Sequence, residues 1–312
     1  MNVYEKATQP TIYFIGVTTK QSSIMKVFPR WAEALGLEDA VIKGIDFAPH
    51  SSVEEYREAV EFIKKDELSL GALVTTHKID LFNACRDLFD YIDPYADQLG
   101  EISSISKREG KLRAHAKDPI SSGLALEHFV PDNFWKDYDG NVLLLGAGGS
   151  SLAMSIYLTQ GKFGDNVPKK IIIANRSMPR LESARKILEG LNPAVTFSFV
   201  HNPDPEGNDE TLKGLKPHSL IVNATGLGKD APGSPLTDAC EFPEDSFVWE
   251  INYRGDLVFK DQAEGQKEEK RLYVEDGWIY FIHGWTQVIA EVFDIEIKGE
   301  TLERLSEIAR TV

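Results

Sequence analysis

Asn141–Leu145 (NVLLL) and the glycine-rich turn after it constrain this chain more than any other stretch. The apolar run reads as a buried strand. It passes directly into Gly146-Ala147-Gly148-Gly149 and then into a helical pattern over Ser151–Gln160. Glycines between a buried strand and a helix let backbone N–H groups approach a pyrophosphate, and the helix N-terminus adds positive potential. A tight strand-to-helix turn without a ligand is the plainer alternative.

The flanking pattern decides the fold class. Lys170–Ala174, Ala194–Val200, Ser219–Asn223 and Ser246–Ile251 read as further strands, with a helix through Arg180–Leu191. That alternation is the signature of a doubly wound parallel sheet. A second, weaker unit precedes it. Thr11–Val17, Ala40–Ile45 and Gly71–Thr75 read as strands separated by helices at Ser23–Leu35 and Val53–Lys64. Strand and helix alternation of this kind points to parallel pairing through right-handed crossovers. Pro131-Asp132-Asn133 suggests a break within 120–137, and Trp285–Phe293 and Thr301–Ala309 read as helices. The expectation is an α/β protein of two domains: residues 1–122, and a Rossmann-type unit over 123–276. At about 150 residues per domain the 312-residue length agrees.

Charge narrows the partners. Lys and Arg number 34 against 49 Asp and Glu, a net −15, which argues against nucleic-acid or anionic-membrane surfaces. Two cysteines make no disulfide framework, and no His, Cys, Asp or Glu spacing suggests a metal. Met1–Pro10 lacks the apolar core of a signal peptide, and no apolar run approaches the ~18 residues of a membrane span. A cytoplasmic protein, monomer or homodimer, is expected.

The end of the second Rossmann strand indicates the cofactor. An NAD site places Asp or Glu there for the ribose 2′-hydroxyl. This chain has Asn175-Arg176-Ser177, with Arg180 one turn on. Two guanidinium groups and a hydroxyl suit a 2′-phosphate, so NADP is the expected cofactor. The alternative is a pair of solvated helix-start arginines.

Together these stretches resemble the shikimate/quinate dehydrogenase family over nearly the whole chain. Gly146–Ala153 is similar to its GAGGxxxA loop and Asn175–Arg180 to its NRTxxR motif. Asn223-Ala224-Thr225-Gly226-Leu227-Gly228 resembles the NATxxG loop bordering the nicotinamide. Glu250-Ile251-Asn252-Tyr253 resembles DxxY, and Asp276-Gly277 the DG before the returning helices. The resemblance implies that the C-terminal helices, 277–312, pack back on the first domain and that a cleft lies between the domains. It also implies that Gly146, Ala147, Gly148, Gly149, Ser150, Asn175, Arg176, Ser177, Arg180, Asn223, Ala224, Thr225 and Gly277 contact the dinucleotide.

The first domain departs further from the family. Its NVTxPxK pattern is matched by Gly71–Lys78 (GALVTTHK), one residue shorter, with Leu73 in place of Asn. Lys78 carries over, and so does the Asp of NTD as Asp118, preceded here by Ala116 and Lys117. Lys20 and Ser22 stand at the family's paired serines, and Ser103 at its Asn. Gly284 stands at its Gln, with Gln287 three residues on. The resemblance implies catalysis by Lys78 and Asp118, and substrate contacts from Lys20, Ser22, Thr75, Ser103, Tyr253 and Gln287. The implied substrate is a small anion, shikimate or a relative of it. Lys20 offers a charge-assisted bond to a carboxylate where the family has a neutral one. A quinate- or amino-shikimate-type enzyme, or a non-catalytic NADP-binding protein, are the alternatives. His77, His115 and His283 are further proton-carrier candidates, with structural histidines the plainer reading.

Overall fold

The computed structural model describes residues 4–229 and 231–312. The chain divides into two compact units. One is the chain up to Lys117 with Gly284–Val312, the other Asp118–His283. The junctions read from the sequence were 122/123 and 276/277.

In the first unit, β1 (Thr11–Gly16), β2 (Val41–Asp46), β3 (Ser69–Val74), β4 (Tyr91–Ile92), β5 (Ser104–Arg108) and β6 (Lys111–His115) form one sheet in the order β2-β1-β3-β5-β6-β4. β1 pairs parallel with β2 and β3, as the alternating pattern requires. The sheet is nevertheless mixed, because β5 runs antiparallel to both β3 and β6. The β5–β6 hairpin carries Ser, Lys, Arg and His rather than an apolar run. Its signal was instead the turn Glu109-Gly110, where both residues adopt positive φ, the requirement of a two-residue type I′ turn.

The returning C-terminal segment completes this unit's core. Trp31, fully buried on helix Ile24–Ala34, donates from Nε1 to Leu305 O at 2.7 Å on helix Gly299–Arg310. Phe14 meets Trp285 edge-on at 5.0 Å.

In the second unit, β7 (Val142–Leu145), β8 (Lys170–Asn175), β9 (Thr196–His201), β10 (Leu220–Asn223), β11 (Phe247–Glu250) and β12 (Tyr273–Glu275) form an all-parallel sheet, ordered β12-β11-β10-β7-β8-β9. This is the doubly wound order whose direction reverses between β7 and β10. All four residues of β7 and of β10 are buried.

The break expected over 120–137 is largely helix, Asp118–Phe129 and Phe134–Asp137. Small residues explain the first: a Cβ on Gly123 would sit 2.1 Å from the Tyr157 ring, so glycine lets this helix seat against helix Gly149–Leu158. No helix among the described residues is long and apolar enough to cross a membrane.

Candidate active site

The carboxyl ends of β7, β8 and β10 surround a cavity of about 580 Å³, where the doubly wound sheet reverses direction. Its wall includes Gly146, Ala147 and Gly148 after β7, Asn175, Arg176, Ser177 and Arg180 after β8, and Ala224 and Thr225 after β10.

Two of the glycines serve different ends. Gly146 holds φ +112°, and a Cβ there would stand 2.7 Å from Ala224 O, so the backbone itself requires glycine. Gly148 is extended, at φ −94° and ψ −175°, and a Cβ there would meet nothing within 4 Å. The fold does not demand glycine at Gly148. The room it leaves opens on the cavity at the N-terminus of helix Gly149–Leu158, whose first turn has no acidic residue. Backbone N–H groups and the helix dipole there favour an anion. Ser151 braces the loop by donating to Gly146 O at 2.7 Å.

At the end of β8, Arg176 and Arg180 are exposed at the cavity, and the helix they begin has no acidic residue in its first turn. Asn175 Oδ1 accepts from Arg176 N at 3.0 Å, and His201 Nε2 donates to Arg176 O at 3.0 Å. The backbone under the first guanidinium is thereby held from both sides. Asp204 also lines the cavity, with its carboxylate engaged as a helix cap by Gly207 N–H at 3.0 Å.

The loop after β10 is tied to the end of β11. Asn223 Oδ1 accepts from Thr225 N at 3.1 Å and Thr225 Oγ1 at 2.6 Å. Asn223 Nδ2 donates to Glu250 Oε2 at 2.6 Å. Glu250 is fully buried, and burial pushes its carboxyl up to about 7 against the pull of the Asn252 and Asn223 hydrogen bonds. Gly277 lets the chain close over this point: a Cβ there would lie 2.1 Å from Ile251 O. Tyr253 packs against Phe281 with ring centroids 4.3 Å apart and planes tilted by 32°, and Ser150 Oγ lies 3.4 Å from the Tyr280 hydroxyl.

In the first unit, Lys78 is the first residue of helix Lys78–Cys85 and is half-buried. Asp118 opens the second unit as the first residue of its helix, also half-buried. Lys20 lies exposed in the single turn Thr19–Gln21, with Ser22 half-buried after it. The buried hydroxyl of that turn is Thr19, which donates to Asp46 Oδ1 at 2.5 Å. Thr75 is half-buried after β3. Ser103 is buried, and its Oγ accepts from Lys117 N at 2.8 Å. Gln287 and Gly284 are both half-buried, one turn apart on helix Trp278–Phe293.

The three histidines are buried. His77 is hydrogen-bonded through Nδ1 to the Tyr56 hydroxyl at 2.8 Å, and burial holds it below the usual imidazole range. Burial pushes His283 down to about 4, so its ring is neutral near pH 7. His115 lies between carboxylates, 3.4 Å from Asp93 and 3.1 Å from Glu291. Burial pulls its imidazole down, but the two carboxylates outweigh that and raise it. The contact to Glu291 is an ion-pair approach rather than an aligned hydrogen bond.

Several known proteins are similar to this chain. Shikimate dehydrogenase (NADP(+)) of Streptococcus thermophilus is 24% identical over 221 residues, 70% of this chain and 71% of the relative. The enzyme of the same name from Methanocaldococcus jannaschii is 30% identical over 180 residues, covering 57% of this chain and 56% of that one. The chain is similar to these shikimate dehydrogenases over part of its length. Among solved structures, a Corynebacterium glutamicum quinate dehydrogenase in complex with NAD superposes with TM-score 0.74 at 19% identity, covering 97% of this chain and 99% of that one. The Aquifex aeolicus shikimate dehydrogenase gives 0.71 at 22% identity, with coverages of 97% and 99%. These structures share the fold: two α/β units, one of them Rossmann-type. No family model matches the chain.

Family motifs did not reach every residue of the cavity wall. Asn202, Asp204 and Asn208, after the end of β9, also line it. Asn202 Nδ2 donates to Asn208 Oδ1 at 2.9 Å and Thr211 Oγ1 at 3.0 Å, which sets this wall. The available signal was positional, since ligands of such sheets bind beyond the strand carboxyl ends.

Proposed function

We propose that this protein is an NADP-dependent oxidoreductase of the shikimate dehydrogenase type. It interconverts a secondary alcohol and its ketone on a small polar carboxylate, shikimate and 3-dehydroshikimate or a related pair. The curated relatives carry that name and cofactor. The observation that carries the reading for this chain is the β8 end of the cavity. There Arg176 and Arg180 are presented, among the described residues neither guanidinium pairs with a carboxylate, and Gly148 leaves room at a helix N-terminus.

Bound there, NADP supplies the hydride acceptor or donor. The chain does the rest. N–H groups at Gly148 and Gly149 hold the pyrophosphate, with Gly146, Ala147 and Ser150 shaping the loop. Arg176, Arg180, Ser177 and Asn175 take the 2′-phosphate end. Asn223, Ala224, Thr225 and Gly277 border the nicotinamide. Oxidising an alcohol removes a hydride from carbon and a proton from oxygen. Lys78, as its neutral amine, would take that proton, and Asp118 would orient the ammonium that forms. Lys20, Ser22, Thr75, Ser103, Tyr253 and Gln287 hold the substrate. Lys20 supplies a charge-assisted bond to its carboxylate, which favours an anion differing from shikimate around that group. We further propose a cytoplasmic monomer or homodimer.

A screen of NADP reduction over cyclitols and hydroxy acids tests this, with Lys78→Ala as control. Turnover is expected in the parent and lost in the variant; equal turnover would defeat the proposed chemistry. In parallel, NADP should bind tighter than NAD, and Arg176→Ala should erase most of that preference. A parent protein that prefers NAD would sink the cofactor assignment.

A further inference from the structure

We infer that Glu250 is a positioning residue: its carboxylate holds the Asn223–Gly228 loop against the dinucleotide cavity by forcing the Asn223 amide into one orientation. The inference rests on the dinucleotide function proposed for this cavity, and Glu250 itself touches neither cofactor nor substrate in that reading.

The orientation follows from groups that have no choice. Thr225 N–H can only donate, and it donates to Asn223 at 3.1 Å. The Asn223 oxygen must therefore face the loop, and its NH2 must face Glu250. The carbonyls of Thr225 and Leu227 can only accept, at 3.2 and 3.4 Å from Asn252. The Asn252 NH2 is fixed in its turn. Its Nδ2 then reaches Glu250 Oε1 at 2.6 Å, beside Asn252 N at 2.8 Å. Glu250 thus faces donors at both oxygens: Asn223 at Oε2 and Asn252 at Oε1.

Only a carboxylate accepts on both sides. A glutamine would turn an NH2 toward one of the asparagine amides. If Asn223 flipped to accommodate it, its oxygen would leave Thr225, and the loop would lose two hydrogen bonds at once. A protonated Glu250 meets the same conflict, since its O–H would point at a donor. The Lys229 charge, just past the loop, also favours the ionised form against burial. The dependent loop is part of the cavity: Ala224, Thr225, Gly226 and Leu227 all line it. Leu227 N–H donates to Thr225 Oγ1 at 3.2 Å, so two amides of the loop are held by this network alone.

The test compares the full chain with Glu250→Gln at pH 8, where the parent carboxyl is ionised. Hydrogen exchange is followed without cofactor, and NADP affinity by fluorescence titration. Exchange at Thr225 and Leu227 should quicken while β8 stays protected, and NADP should bind about tenfold more weakly, the effect of roughly one hydrogen bond. Glu250→Asp, which keeps the charge, should recover part of that affinity. If Glu250→Gln fails to fold, Asn223→Ala is measured instead, with the same changes expected. Unchanged exchange and unchanged NADP affinity would overturn the inference. A parent protein that binds no dinucleotide would overturn the proposed function instead.

Discussion

Removing Glu291 should unfasten the C-terminal segment from its own unit. One Glu291 oxygen accepts from Ser106 Oγ at 3.1 Å and stands 3.1 Å from His115 Nε2; the other takes Lys117 Nζ at 2.6 Å. The Lys117 and His115 side chains keep only 13% and 7% of their exposure, so Glu291→Ala strands an ammonium away from water and leaves His115 with Asp93 alone, at 3.4 Å. Breaking a buried pair from one side costs about 3–5 kcal/mol, and the partial exposure of Lys117 places this case near 3 kcal/mol. Urea unfolding followed by tryptophan fluorescence reads it, since Trp31 and Trp285 sit in this unit's core. Adding Lys117→Met to Glu291→Ala should recover much of the loss, because no orphaned ammonium remains. A loss under about 1 kcal/mol in the single variant, or a double variant worse than the sum, would refute the reasoning.

The same cluster has a pH signature. The His115 contact, followed by Lys117, holds the Glu291 carboxyl well below the usual range, so its contribution is present above about pH 4.3 and fades as pH falls. The raised His115 contributes fully below about pH 6.5 and fades as pH rises through its folded value. The stability that Glu291→Ala removes should therefore be largest between those limits.

Other outcomes follow from the glycine loop and the turn before Lys78. Gly146→Ala, with its Cβ 2.7 Å from Ala224 O and φ at +112°, should cost about 1–3 kcal/mol in a thermal or urea melt. Gly148→Val should leave stability nearly unchanged and abolish dinucleotide binding by titration, since a Cβ there meets no protein atom within 4 Å and the side chain would project into the cavity mouth. Equal losses of stability in the two variants would contradict their different roles. Thr76 holds φ +60° as a β-branched residue, two positions before Lys78. Relieving that strain with Thr76→Gly should stabilise the chain by about 1 kcal/mol, net of the glycine's own entropy. Turnover should fall nonetheless if the strained turn aims Lys78.

The Rossmann unit was the more legible half, for a reason visible in its strands. Val142–Leu145 and Leu220–Asn223 are central and buried on both faces, so the first is apolar throughout and the second is apolar up to Asn223 at its carboxyl end. The first unit's β5 and β6 are mostly polar strands held by cross-strand pairing and by the Glu109-Gly110 turn, and the short alternation at Leu112 and Ala114 is a weak announcement of them. The helix over Asp118–Phe129 was hidden for a similar reason. The first half of its buried face is Pro119, Ser121, Ser122 and Gly123, residues that elsewhere mark a break, before Ala125, Leu126 and Phe129.

Motif spacing was enough to mark the glycine loop, the arginine pair and the lysine after β3, because each is a short local device whose residues are neighbours in the chain. The partners of buried polar groups needed the folded chain. Glu250 meets Asn223 27 residues away, and Glu291 meets Lys117 174 residues away. A lone Glu in sequence carries no sign of either. Local sequence determined where the glycine loop and the arginine pair after β8 lie. Tertiary structure alone decided which distant carboxylate orients the loop after β10 and which fastens the C-terminal segment within its own unit, because a buried charge takes its role from whatever donors folding brings within about 3 Å of it.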